Sequence, residues 1–173
     1  MKGEYITKSK DEMWVLAEKF VKDFRDKDTV LPHIFALSGD LGSGKTSFVQ
    51  GVVKAFGISD RVISPTFVLE RRYKIPENFS GESEKSESGK FANPFFKNLI
   101  HIDAYRLSGE GDMKALNFAE TCANTENLIF IEWPEIISNS KLGGVLENFA
   151  KKDQIAEIKF EHIDENTRRV IFL

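Results

Sequence analysis

The stretch His33-Ile34-Phe35-Ala36-Leu37-Ser38, continuing as Gly39-Asp40-Leu41-Gly42-Ser43-Gly44-Lys45-Thr46, decides the fold of this chain. The first six residues form a short apolar run that ends abruptly in glycine, the pattern of a buried strand. After Thr46, the residues Phe48, Val49, Val52, Val53 and Phe56 recur at helical spacing, and Gly57 stands as a C-terminal stop, so a helix is expected from Lys45 to Phe56. The eight residues between fit G-x-x-x-x-G-K-[S/T], and strand, glycine loop and helix is the context in which that pattern cradles phosphates. Gly39, Gly42 and Gly44 permit backbone angles and a close approach that a Cβ would block, so the N–H groups through Asp40, Leu41 and Ser43 can turn onto phosphate oxygens. The positive end of the helix adds to the attraction. Lys45 can bridge the β and γ phosphates, and the Thr46 hydroxyl can ligate Mg²⁺. ATP and Mg²⁺ are therefore the expected cofactors.

A phosphate loop of this kind also needs a carboxylate at the end of a neighbouring strand, to hold the metal or its water shell. Two candidates exist. Leu128-Ile129-Phe130-Ile131 is a continuous apolar run ending in Glu132, as in a central strand covered on both faces. Leu99-Ile100-His101-Ile102-Asp103 looks like a second strand, in which His101 suggests partial polarity. Glu132 is assigned to Mg²⁺, directly or through water, and Asp103 to the γ-phosphate side as a water-orienting or metal-shell group. The sequence does not order these two roles. Ser64-Pro65-Thr66-Phe67 follows the glycine-loop helix, where Thr66 could donate to the γ-phosphate or reach the metal; taken alone, Ser-Pro-Thr is a turn.

Outward from the loop, Met13, Trp14, Ala17, Phe20, Val21 and Phe24 mark an amphipathic helix between Ser9 and Arg25, its start fitting a capping box of Ser9 and Glu12. Its aromatic stripe reads as core, not as a ligand platform. Phe67 to Ile75 reads as a strand. Pro76 to Lys90 is rich in Ser, Glu, Gly and Lys and can bury almost nothing, so a flexible surface insertion is expected at about 76–98. Ala156 to Glu161 alternates strictly and Arg169 to Leu173 can return beside it, an antiparallel hairpin on the sheet.

The 173 residues fit one domain, 41% hydrophobic and 29% charged, as in an ordinary globular protein. A net charge of −3 lacks the basic footprint of a protein that holds nucleic acid by itself. The single cysteine, Cys122, leaves no internal disulfide and no thiolate cluster. No apolar run approaches the roughly 20 residues of a membrane span, and the start carries no apolar signal core, so a cytoplasmic protein is expected.

Four blocks, taken in order, resemble the signatures of the TsaE family, the small ATPases of bacterial tRNA threonylcarbamoyladenosine (t6A) synthesis. They are Gly39 to Thr46; Ser64-Pro65-Thr66-Phe67; His101-Ile102-Asp103-Ala104-Tyr105-Arg106-Leu107; and Ile131-Glu132-Trp133-Pro134-Glu135. The resemblance runs from about Phe35 to Glu135; the insertion after Pro76 and the segments after Leu107 and Pro134 depart from it. It implies an α/β, P-loop NTPase-like fold, with a mostly parallel central sheet flanked by helices and additional antiparallel strands. It also implies ATP hydrolysis in the service of the TsaB and TsaD proteins, with tRNA engaged only through that complex. Carried over by position, Thr46 and Glu132 would bind Mg²⁺, Lys45 the phosphates, Thr66 and Asp103 would support hydrolysis, and Trp133 would sit beside the nucleotide.

Three rival readings stand beside this one. A small-molecule kinase needs a lid or acceptor site rich in arginine, and the chain has none between Arg72 and Arg106. The guanine-reading Asn-Lys-x-Asp of a GTPase is represented only by Ala150-Lys151-Lys152-Asp153. A nucleotide-dependent binding switch with negligible turnover differs from an ATPase in whether the two partners raise phosphate release.

Overall fold

Successive side chains of a strand leave on opposite faces, and a strand apolar at every position must be covered on both. In the computed structural model, which describes residues 1–25, 32–59, 69–76, 96–107, 110–139 and 146–173, the strand β2 (Ile34–Ser38) is built this way. Phe35 and Leu37 enter one hydrophobic cluster and Ile34 and Ala36 another. The first strand is β1 (Gly3–Thr7), followed by helix α1 (Lys10–Arg25); after β2 come α2 (Lys45–Ala55), β3 (Glu70–Lys74) and β4 (Asn98–Asp103). The short helices α3 (Glu110–Ala115) and α4 (Phe118–Ala123) lead to β5 (Asn127–Glu132) and α5 (Pro134–Asn139), and the chain closes with β6 (Ile155–His162) and β7 (Arg168–Phe172).

The strands form one sheet in the order β1-β7-β6-β2-β5-β4-β3. Its centre, β6-β2-β5-β4, is parallel; β3 lies antiparallel to β4 at one edge, and β7 and β1 run antiparallel at the other. This is the expected α/β architecture. On one face, Met13, Ala17 and Phe20 of α1 and Phe48, Val49 and Val52 of α2 pack on Phe35, Leu128, Phe130, Phe160 and Phe172. Phe20 is the hub, with ring centroids 5.1 Å from Phe35, 5.5 Å from Phe48 and 5.8 Å from Phe172. Of the aromatic stripe of α1, Phe20 is core, as its spacing predicts; Trp14 is half-buried, with Lys10 and Lys54 Nζ over its ring, and the Phe24 side chain lies outside what is described. On the other face, Phe118 and Cys122 of α4 and Ile137 of α5 cover Ile34, Ile100, Ile129 and Ile131. Burial there pushes the Cys122 thiol up to about 12, so it stays neutral.

The start of α1 differs in detail from the expected capping box. Ser9 Oγ accepts from Glu12 N at 3.1 Å, but the Glu12 carboxylate accepts from Lys8 N at 2.7 Å, one residue before the cap. Strand β1 was not legible, because its pattern is inverted: Thr7 is buried while Ile6 is exposed. Of the strand expected from Phe67 to Ile75, β3 supplies Glu70–Lys74, while Phe67 and Val68 lie outside the described residues. The insertion expected at about 76–98 falls mostly outside the described residues. Phe96 packs against the core, Lys97 O accepts from Ile75 N at 3.0 Å, and Asn98 already belongs to β4; residues 77–95 lie outside the described residues.

Candidate functional site: the loop between β2 and α2

The C-terminal ends of the parallel strands share one edge of the sheet, and β2 runs there into the glycine loop. Gly39 (φ 135°), Gly42 (φ 77°) and Gly44 (φ 102°) all take the left-handed region that strains a residue with a Cβ. At Gly39 the requirement is also spatial: a Cβ would stand 2.1 Å from the Phe160 carbonyl oxygen of β6. The loop is pressed against its neighbouring strand, and only hydrogen fits between them.

Lys45, at the first turn of α2, is 4% exposed. Its Nζ donates to Gly39 O at 2.7 Å and Asp40 O at 3.0 Å, and lies 3.9 Å from the centre of the Trp133 ring. Burial lowers the amine below the usual lysine range, while the charges of Glu132, Glu135, Asp103 and Asp40 oppose that shift. The four carboxylates thus offset part of the cost of burying the amine beside the loop. Thr46 Oγ1 donates to Glu132 at 2.8 Å (Oε1) and 3.0 Å (Oε2), joining the helix start to the end of β5.

Glu132 and Asp103 are register partners on adjacent parallel strands, so the two candidate carboxylates stand side by side. Glu132 Oε1 also receives His101 Nε2 at 2.8 Å. Strand β4 is nonetheless buried: His101 is fully buried, its Nε2 turns onto Glu132, and its Nδ1 has no hydrogen-bond partner among the described residues. A carboxylate only accepts, so Nε2 carries the proton. Asp103 Oδ1 accepts from Tyr105 N at 3.0 Å, bending the chain into the short helical turn Ala104–Arg106.

Trp133 stands between β5 and Pro134, with φ 60°. A bulky residue before proline is normally extended, so this is a strained position. The bend sets the indole over Lys45 and 5.2 Å from the Tyr105 ring. The structure thus brings together Lys45, Thr46, Glu132, Trp133 and Asp103 around the loop of Gly39 to Gly44. Thr66, expected to sense the γ-phosphate, lies outside the described residues.

The donor set fits a phosphate chain and a hard divalent cation. Glycines of positive φ leave the loop open, Ser43 Oγ is buried with no hydrogen-bond partner among the described residues, and a hydroxyl and a carboxylate meet at the helix start. Oxygen donors of this type suit a cation that keeps water and takes phosphate oxygens as further ligands.

Sequence reasoning missed two contributors. His101 carried a misleading signal, a polar residue in an apolar strand. Arg168 and Arg169 are adjacent basic residues, a pattern that on its own points only to solvated charge. Instead Arg168 Nε donates to Gly42 O at 2.8 Å, and Arg169 pairs with Glu4 and Glu161.

A parallel sheet that feeds a glycine-bent loop into a helix start, with Lys45 and Thr46 meeting the carboxylate of the next strand, defines an α/β protein of the P-loop nucleotide-binding class. The sequence profile of "Threonylcarbamoyl adenosine biosynthesis protein TsaE" matches residues 7–170. The chain belongs to the TsaE family, which functions in tRNA threonylcarbamoyladenosine biosynthesis. It is 37% identical over 132 residues to the TsaE protein of Rickettsia prowazekii (strain Madrid E), covering 76% of this chain and 74% of that one. It is 32% identical over 164 residues to the TsaE protein of Rickettsia felis, covering 94% and 75%. The crystal structure of Bacillus subtilis YdiB shares the fold with a TM-score of 0.55 at 18% identity, over 99% of this chain and 84% of that one. The family match extends beyond Phe35 to Glu135, taking in α1, β6 and the start of β7. No described helix is long and apolar enough to cross a membrane.

Proposed function

We propose that this chain is the Mg²⁺-dependent, ATP-binding and ATP-hydrolysing component of t6A synthesis, acting in the cytoplasm with TsaB and TsaD and meeting tRNA only through that complex. The observation that carries the reading is the junction of Lys45, Thr46 and Glu132 at the start of α2, a buried amine, a hydroxyl and a carboxylate beside one glycine loop.

The loop N–H groups and Lys45 take the β and γ phosphates, and Trp133 bounds the site over the lysine. Thr46 and Glu132 hold Mg²⁺, directly or through water, and His101 orients the Glu132 carboxylate from behind. Bound Mg²⁺ neutralises charge on the phosphates and draws electron density from the γ-phosphoryl group. Asp103, beside Glu132 on the next strand, would orient the water whose oxygen bonds to the γ-phosphorus as the bond to the bridging oxygen breaks; ADP and inorganic phosphate leave, and the proton released from the water passes to solvent.

The lack of arginine between Arg72 and Arg106, where a kinase lid would need it, favours this reading over a kinase. Arg72 is tied to Glu70 and to Thr121 Oγ1 (2.8 Å) at the far edge of the sheet, away from the loop. With net charge −3 the chain alone is expected to bind tRNA weakly, and with no arginine between Arg72 and Arg106 to act on the transition state it is expected to hydrolyse ATP slowly.

Calorimetric titration of ATP, with and without Mg²⁺, into the wild type and Lys45→Ala tests the site. The variant is expected to lose ATP binding while keeping its thermal transition. Wild-type affinity in the variant would remove the phosphate cradle from the account.

A further inference from the structure

Arg168 lies 126 positions from Gly42, and the β6–β7 hairpin carries it back to the glycine loop. It opens β7, on the side of β2 away from Glu132. Its Nε donates to Gly42 O at 2.8 Å. Its Nη1 donates to three carbonyls of the hairpin turn: Asp164 O at 2.8 Å, Thr167 O at 3.0 Å and Glu165 O at 3.2 Å. The guanidinium is therefore a tie between turn and loop, with a fork geometry that a single amine cannot reproduce.

The turn that holds it is itself built. Asp164 Oδ1 accepts from Asn166 N at 3.0 Å and from Thr167 N at 2.8 Å, and Ile163 N donates to Thr167 O at 3.1 Å. The arginine stem also lies against the loop, since its Cγ would be 3.8 Å from a Cβ placed on Gly44.

A trans peptide points its C=O and its N–H in opposite directions. Holding the Gly42 carbonyl toward the hairpin thus aims the Ser43 N–H away from it. That N–H donates to Asp40 O at 3.2 Å, the same oxygen that receives Lys45 Nζ at 3.0 Å. Ser43 N–H therefore lies on the lysine side of the loop, where a phosphate chain would be taken up. Gly42, at φ 77° and without a Cβ, has little intrinsic preference to keep the peptide in that orientation.

We infer that Arg168 is a positioning residue of the phosphate cradle: anchored by the Asp164 turn, it grips the Gly42 carbonyl and keeps the Ser43 N–H directed into the loop. The inference rests on the ATP reading above and adds to it a contact from outside the motif. Its ligand is the polyphosphate moiety, independent of the base.

The test is calorimetric binding of MgATP and of inorganic tripolyphosphate to the full-length protein and its variants, with thermal unfolding measured in parallel. Arg168→Ala is expected to weaken both ligands about tenfold, the scale of one charge-assisted hydrogen bond. Arg168→Lys should recover part of that loss. Asp164→Ala, remote from the ligand, should weaken MgATP a few-fold in the wild type and add nothing in the Arg168→Ala background, because its effect passes through the arginine. A lowered melting temperature with unchanged affinity for both ligands would mean that Arg168 only braces the fold, and would overturn the inference. So would full additivity of the two substitutions, or a loss confined to MgATP. Should Arg168→Ala not fold, wild-type affinities in both Arg168→Lys and Asp164→Ala would overturn it equally. If the wild type binds no MgATP, the ATP reading falls and this inference falls with it. If the wild type binds and Lys45→Ala does not, an indifferent Arg168→Ala removes this inference alone.

Discussion

Replacing Glu132 by glutamine isolates the charge of the proposed metal ligand, because the structure lets the hydrogen bonds survive. Glu132 Oε1 accepts from both Thr46 Oγ1 and His101 Nε2 at 2.8 Å, and an amide oxygen in its place accepts from both. The remaining contact, Thr46 Oγ1 to Oε2 at 3.0 Å, becomes one in which the amide donates to the hydroxyl. Stability should therefore change by no more than about 1 kcal/mol. The lost term is the attraction between one negative charge and a divalent cation. At about 4 Å, even with the dielectric constant of water, it is worth about 2 kcal/mol, on the order of a thirtyfold change in equilibrium constant. The assay is ATP binding at a series of Mg²⁺ concentrations, with urea unfolding as the control. The Mg²⁺ midpoint should rise by that factor, while binding without Mg²⁺ holds or improves, since a carboxylate facing the phosphates has gone. An unchanged midpoint in a folded variant would refute the assignment of Glu132 to the metal.

Two further substitutions follow from the same geometry. Asp103→Asn should spare ATP binding and lower the hydrolysis rate, read as a fall in kcat at unchanged affinity; if instead it shifts the Mg²⁺ midpoint and Glu132→Gln lowers only turnover, the two carboxylates have exchanged roles. Gly39→Ala drives a Cβ to 2.1 Å from the Phe160 carbonyl at φ 135°. Left-handed strain of about 1–2 kcal/mol adds to overpacking of about 1–3 kcal/mol, so urea unfolding should report a loss of several kcal/mol, and a loss below 1 kcal/mol would show that the loop can move off β6.

The central strands and the loop were legible because each carries a redundant signal. In β5, four consecutive apolar residues before Glu132 can only be covered on both faces, and in the loop the glycine spacing, the flanking strand and the following helix agree. The pairing of Glu132 with Thr46 was inferable as chemistry, a carboxylate for a metal-binding hydroxyl. Its pairing with His101 was not, because a histidine in an apolar strand gives no sign of which strand it faces. Arg168 was hidden by distance, since whether a basic residue after a turn is solvated depends on where the hairpin docks. Strand β1 was hidden because an edge strand does not need an alternating pattern, and here the outward residue, Ile6, is the apolar one.

Phosphate release from ATP and from GTP, by the purified chain alone and with TsaB and TsaD added, tests the central claim most directly. The account predicts slow release from ATP by the chain alone, a marked rise when both partners are present, and loss of that rise in Lys45→Ala. Fast release that ignores the partners, release from GTP as readily as from ATP, or no release even in the complex would contradict it.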